Sequence, residues 1–143
     1  MIKSFRGLLQ NSEQKRIKLS TNNGLTGYKI HKFMIMPNSP FGDNTEYVVK
    51  ITTQELATLS ADVNLDSPLI LAVAAASNSA GWGGNQPDKN IVFDNKKFNQ
   101  DIYISTKNSS GTDAINYYLE LETMPISKDE ATVATLRDMR GRE

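Results

Sequence analysis

Apolar residues in this chain recur mostly at every second position and in short runs. That is the period of β-strands, not of helices. Eight runs are predicted to be strands. The first covers residues 2–9. The second, 15–20, puts Ile17 and Leu19 on one face and charges on the other. The third, 25–36, is long, and its apolar set changes face between Ile30 and Phe33, which predicts a bulge near His31 and Lys32. The fourth, 45–52, turns Tyr47, Val49 and Ile51 one way. The fifth, 69–76, is continuously apolar after Pro68 and reads as a strand buried on both faces. Runs at 90–94 and 101–107 follow, then 114–122. In the last, Ile115, Tyr117, Leu119 and Leu121 share one face, and Asn116, Tyr118, Glu120 and Glu122 the other.

The intervals carry turn chemistry. Asn23-Gly24 after the second run predicts a hairpin, because both residue types accept positive φ. A hairpin is also expected around the turn at 108–113. Loops are expected at 37–44, with Phe41 between a proline and a glycine, and at 77–90, which is glycine-rich and carries Trp82. Residues 53–67 are weakly patterned and read as an excursion with a short helical turn.

The end of the chain changes period. Ser127 and Glu130 form a capping box, acidic residues open the first turn, and arginines close the last. One helix is predicted over 128–140, with Val133, Leu136 and Met139 or Arg140 as a narrow apolar seam and Gly141 as its stop. The expected fold is therefore all-β: a two-sheet antiparallel β-sandwich of about eight strands over 1–126, with a short C-terminal helix and tail over 127–143. The strand count is that of a jelly roll, and other sandwich topologies stay open. The helix is expected to dock on its own domain or on a neighbour.

Composition narrows the function. Asn, Ser and Thr make up 13, 12 and 11 of the 143 residues, which fits a turn-rich β domain. Without cysteine there is no disulfide and no cysteine-bound metal. The single histidine, His31, excludes sites built on several imidazoles, and no nearby residues complete a nucleophile or base around it. Net charge is zero with both signs interspersed, which argues against nucleic acid and anionic membrane as partners. No apolar run is long enough for a membrane helix, and the opening residues do not resemble a signal peptide. Asp43, Asn44 and Glu46 do not match a calcium loop, and Glu120 with Glu122 reads as a solvated strand face. Gly81-Trp82-Gly83-Gly84 lacks the Lys-Ser/Thr ending of a phosphate loop. No catalytic residue, metal or cofactor is expected. Partner contact is expected at Phe41, Trp82, Arg137, Arg140 and Arg142, the aromatics by burial and the arginines through carboxylates of a neighbour.

Several stretches resemble small virion structural proteins of marine tailed bacteriophages. They are Ile91-Val92-Phe93-Asp94-Asn95, Phe98-Asn99-Gln100-Asp101-Ile102-Tyr103-Ile104, Asn116-Tyr117-Tyr118-Leu119-Glu120-Leu121-Glu122 and the segment 130–141. Leu25-Thr26-Gly27-Tyr28-Lys29-Ile30 and Tyr47-Val48-Val49-Lys50-Ile51 resemble them less sharply. The resemblance implies a particle component and brings no catalytic residues. On this basis the expected function is a non-enzymatic structural protein of a phage virion, first a capsid decoration protein, with a tail or baseplate component as the alternative. A carbohydrate-binding sandwich using Trp82 is the reading from another class. The partners implied are copies of the chain, as a trimer or ring, and a major capsid or tail protein. The implied location is the virion, assembled in the host cytoplasm.

Overall fold

A computed structural model describes residues 1–20, 24–40, 45–77, 89–92 and 96–140 of the chain. Eight strands and one helix follow in order: β1 Ile2–Leu9, β2 Gln14–Ile17, β3 Thr26–Pro37, β4 Glu46–Thr52, β5 Ile70–Ser77, β6 Lys89–Val92, β7 Ile102–Ser110, β8 Ile115–Pro125 and α1 Lys128–Arg140. The strands form two sheets, β1-β8-β3 and β2-β7-β4-β5-β6, antiparallel throughout. The nested pairs β1–β8, β2–β7 and β4–β5 are those of a jelly roll. The fourth nested pair, β3 with β6, is replaced: β6 continues the larger sheet beside β5. Among the described residues, what remains between β3 and the sixth connection is one bridge, Tyr28 to Phe98, with backbone bonds of 2.8 and 2.9 Å and stacked rings.

The core lies between the sheets. All eleven alternating positions expected inside are buried: Ile17, Leu19, Tyr47, Val49, Ile51, Ile102, Ile104, Ile115, Tyr117, Leu119 and Leu121. Strand β5 is buried on both faces from Ile70 to Ala74, as its unbroken apolar run required. The register shift in β3 falls between Ile30 and Lys32. His31 is the extra residue, so Ile30 and Phe33 both point inward although they are three apart.

Two local expectations are corrected. The turns before Thr26 and at 108–113 do not close hairpins. Strand β2 lies in the larger sheet and β3 in the smaller, and β7 and β8 divide the same way. The connection from β7 to β8 arches across the core. A turn residue sets the chain reversal, but long-range burial decides whether the flanking strands pair or face each other. The excursion 53–67 contains bends and turns but no helical turn.

The second turn depends on glycine. Gly111 has φ of 78°, and a Cβ there would sit 2.9 Å from the Cα of Thr45. Asn108 Nδ2 holds the turn by donating to the carbonyls of Gly111 and Asp113, at 3.3 and 3.1 Å. Gly111→Ala should therefore destabilise the fold by about 1–3 kcal/mol, read as a lower urea midpoint with unchanged slope.

The two outer faces differ. The excursion after β4 crosses the outside of the larger sheet. Gln14 ties it down, donating to Leu56 O at 3.1 Å and accepting from Leu56 N at 2.9 Å, and the Lys50 ammonium donates to Asp62 O. Beneath it Ser105 and Val73 are buried although they point away from the core, and burial pulls the Lys50 pKa below its ordinary value. Among the described residues no such cover lies over the smaller sheet.

Candidate interaction surface

The outside of the smaller sheet can be built row by row from strand register. Across β1, β8 and β3 the rows are Ile2–Glu122–Lys29, Ser4–Glu120–Lys32, Arg6–Tyr118–Met34 and Leu8–Asn116–Met36. These side chains share one face because strand side chains alternate. Met34 is 49% exposed, Met36 60% and Tyr118 37%. Methionine, tyrosine and arginine are the types enriched in protein interfaces. Methionine also adapts its shape to what covers it.

Charge on this face is sorted by strand. Column β3 carries Lys29 and Lys32; column β8 carries Glu120 and Glu122. Lys29 Nζ lies 3.3 Å from Glu122 Oε2. The Tyr118 hydroxyl donates to Glu120 Oε1 at 3.1 Å. Desolvation, and then the bond to Glu120, raise the Tyr118 pKa. The resulting surface is an apolar patch at one end of the sheet and an alternating field of ammonium and carboxylate at the other.

Helix α1 supplies a second feature. Ser127 caps it, accepting from Glu130 N at 3.2 Å, with Asp129 and Glu130 in the first turn. It docks on its own sandwich. Asn99 Nδ2 donates to Ala131 O at 3.4 Å and Thr135 Oγ1 at 3.1 Å, and Gln54 Nε2 donates to Asp138 O at 2.6 Å. The inward side is small and polar, and it leaves a cavity of about 270 Å³ bordered by Leu69, Phe98, Ile102, Ala134 and Asp138. The expected apolar seam faces the other way: Val133, Leu136 and Met139 are 48%, 46% and 58% exposed. Polar anchoring by Asn99 and Gln54 fixes the helix rotation, and the seam is left outside.

Of the residues expected to touch partners, Phe41, Trp82 and Arg142 lie outside the described residues, as do the side chains of Arg137 and Arg140, which belong to the last turns of α1. Met34, Met36 and Tyr118 were not among them. Their signal was present: Phe33 to Met36 is apolar at every position, so one of the two faces of β3 had to show methionine to solvent or to a partner. His31 stands exposed at the bulge. Among the described residues no three His, Asp or Glu side chains gather as a metal site would need.

No family model matches the chain, and no curated protein matches it. Among solved structures it is similar to the Drosophila NLP-core, described as giving insight into pentamer formation and histone binding. Identity is 12%, the match covers 89% of this chain and 98% of that one, and the TM-score is 0.48. A likeness of that size does not carry that protein's partners to this chain. That neighbour is not a bacteriophage protein. The virion role, as capsid decoration or as tail component, is corrected accordingly, and with it the sugar-binding alternative.

Proposed function

We propose that this domain is a non-catalytic assembly module that associates with copies of itself through the outer face of the smaller sheet. The observation that carries the reading is the contrast between the two outer faces. The chain covers the larger sheet with its own excursion, and leaves Met34, Met36 and Tyr118 bare on the smaller one. Apolar side chains grouped on one open sheet face mark a contact surface. Self-association is favoured because the face carries both charge signs, so each copy offers partners for the charges of the other.

Sedimentation velocity over a concentration series tests this. The native chain should associate. Met34→Glu with Met36→Glu should weaken association at least tenfold, about 1.4 kcal/mol, and leave the far-ultraviolet circular dichroism unchanged. A native chain that stays monomeric at every concentration would overturn the proposal.

A further inference from the structure

We infer that two copies pack face to face across the smaller sheet, related by a two-fold axis that runs parallel to β3 and β8 and between them. This inference rests on the self-association proposed above and adds its geometry. The argument is one of symmetry applied to the rows already described.

Two sheets packed on each other admit two simple two-fold axes in the plane of contact. An axis across the strands keeps the columns in place and reverses their direction. It would set β3 over β3 and β8 over β8. Centred on the four rows, it would lay the charged end of each copy on the methionine end of the other, Lys29 over Met36 and Lys32 over Met34, and bury ammonium and carboxylate groups without partners. An axis along the strands exchanges the columns and preserves height. Column β3 then lies over the second copy's column β8, row for row.

Every row is matched under the second axis. Lys29 meets the second copy's Glu122, and Lys32 meets its Glu120. Met34 lies over its Tyr118, and Met36 over its Asn116. Since Lys29 already pairs with Glu122 at 3.3 Å within one chain, the two copies make a ring of four groups with alternating sign. Column β1 falls outside the overlap, so Arg6 and Ser4 form the rim. An isologous contact of this kind closes after two copies. Aligned sheet packing, with its crossing of about 30° and spacing of about 10 Å, suits side chains of this length.

Two charge-reversed chains test the geometry. One carries Lys29→Glu and Lys32→Glu, so its face is acidic; the other carries Glu120→Lys and Glu122→Lys, so its face is basic. Each alone should associate at least tenfold more weakly than the native chain. Mixed in equal amounts, they should form a one-to-one heterodimer, measured by sedimentation with one chain labelled. Recovery on mixing also shows that both variants are folded. Reversed chains that self-associate like the native protein overturn this geometry, and so does a mixture that forms no heterodimer. Native assembly into rings larger than a dimer overturns it as well. These results leave the assembly reading standing if Met34→Glu with Met36→Glu still disrupts association. A native chain that is always monomeric leaves the face to a different protein and overturns both.

Discussion

Leu119→Ala should cost the fold about 3–5 kcal/mol, a large share of the stability of a domain this size. Leu119 occupies the middle of β8, the central strand of the smaller sheet, and none of it is exposed. Its register neighbours are Phe5 on β1 and Phe33 on β3, so the side chain sits between two rings on the inner face. Truncation removes buried apolar surface and leaves a void that both flanking strands would have to move to fill. Central strands relax little, because they are bonded on both sides. Leu119→Met keeps the volume and should cost less than about 1.5 kcal/mol. Urea unfolding followed by circular dichroism gives both values. A loss under 1 kcal/mol for the alanine variant would show, against this packing, that the site collapses freely.

Asp101→Ala should cost about 3 kcal/mol, and Asp101→Asn roughly half of that. Asp101 is 8% exposed and accepts four contacts. Its Oδ1 takes the amides of Leu19 and Ser20 at 2.7 and 2.8 Å; its Oδ2 takes Arg16 Nε at 2.6 Å and pairs with the second guanidinium nitrogen. Alanine would leave the buried Leu19 amide without its acceptor. Asparagine keeps one acceptor oxygen and loses only the charge. Burial by itself would raise the carboxyl pKa. The two amides and Arg16 outweigh burial and hold it at about 2. A lowered pKa in the fold means stability that is present above the ordinary carboxylate value near 4 and is lost as pH falls through about 2. The native chain should therefore lose stability over that interval, and Asp101→Asn should flatten this part of the profile. An unchanged acid slope in the variant would assign the loss to other carboxylates.

The same carboxylate shows where sequence reading stops. Alternation through Leu19 predicts a strand over 15–20, and Leu19 is indeed buried, but the ladder ends at Ile17. Past that point the amides bond to an aspartate far along the chain, which no local pattern encodes. Periodicity was sufficient for the core of β8 and for the bulge at His31, because both follow from which positions must face inward. It was also sufficient for the limits of α1, where Ser127 and Glu130 act within one turn. It failed for the rotation of that helix: Val133, Leu136 and Met139 form an apolar seam in sequence, yet Asn99 and Gln54 anchor the opposite side. The open face of the smaller sheet was not read from sequence for a related reason. Met34 and Met36 sit inside a strand that is apolar at every position from Phe33 to Met36, and its pattern does not say which face is covered. Only sheet order shows that nothing among the described residues covers them.

The place of β8 has a consequence for how the chain comes to be folded. It is the central strand of its sheet and comes after the seven other described strands in chain order, and it pairs on one side with β1: Ile2 lies opposite Glu122. While the chain is growing, β1 and β3 have no neighbour of their own sheet, and Phe5, Phe33 and Ile35 have no finished inner surface to join. The larger sheet can begin with β4 and β5, which are consecutive. The smaller cannot be assembled strand by strand, and it closes only by bringing distant parts of the chain together, a slow step for which the loop entropy falls due at once. Folding is thus deferred until Pro125 has been made, and in that interval the methionines of β3 are exposed together with the side chains that will later form the interior. A cell making this protein quickly would hold many such half-sheets at the same time, each with an open edge, and aggregation between nascent chains competes with completion.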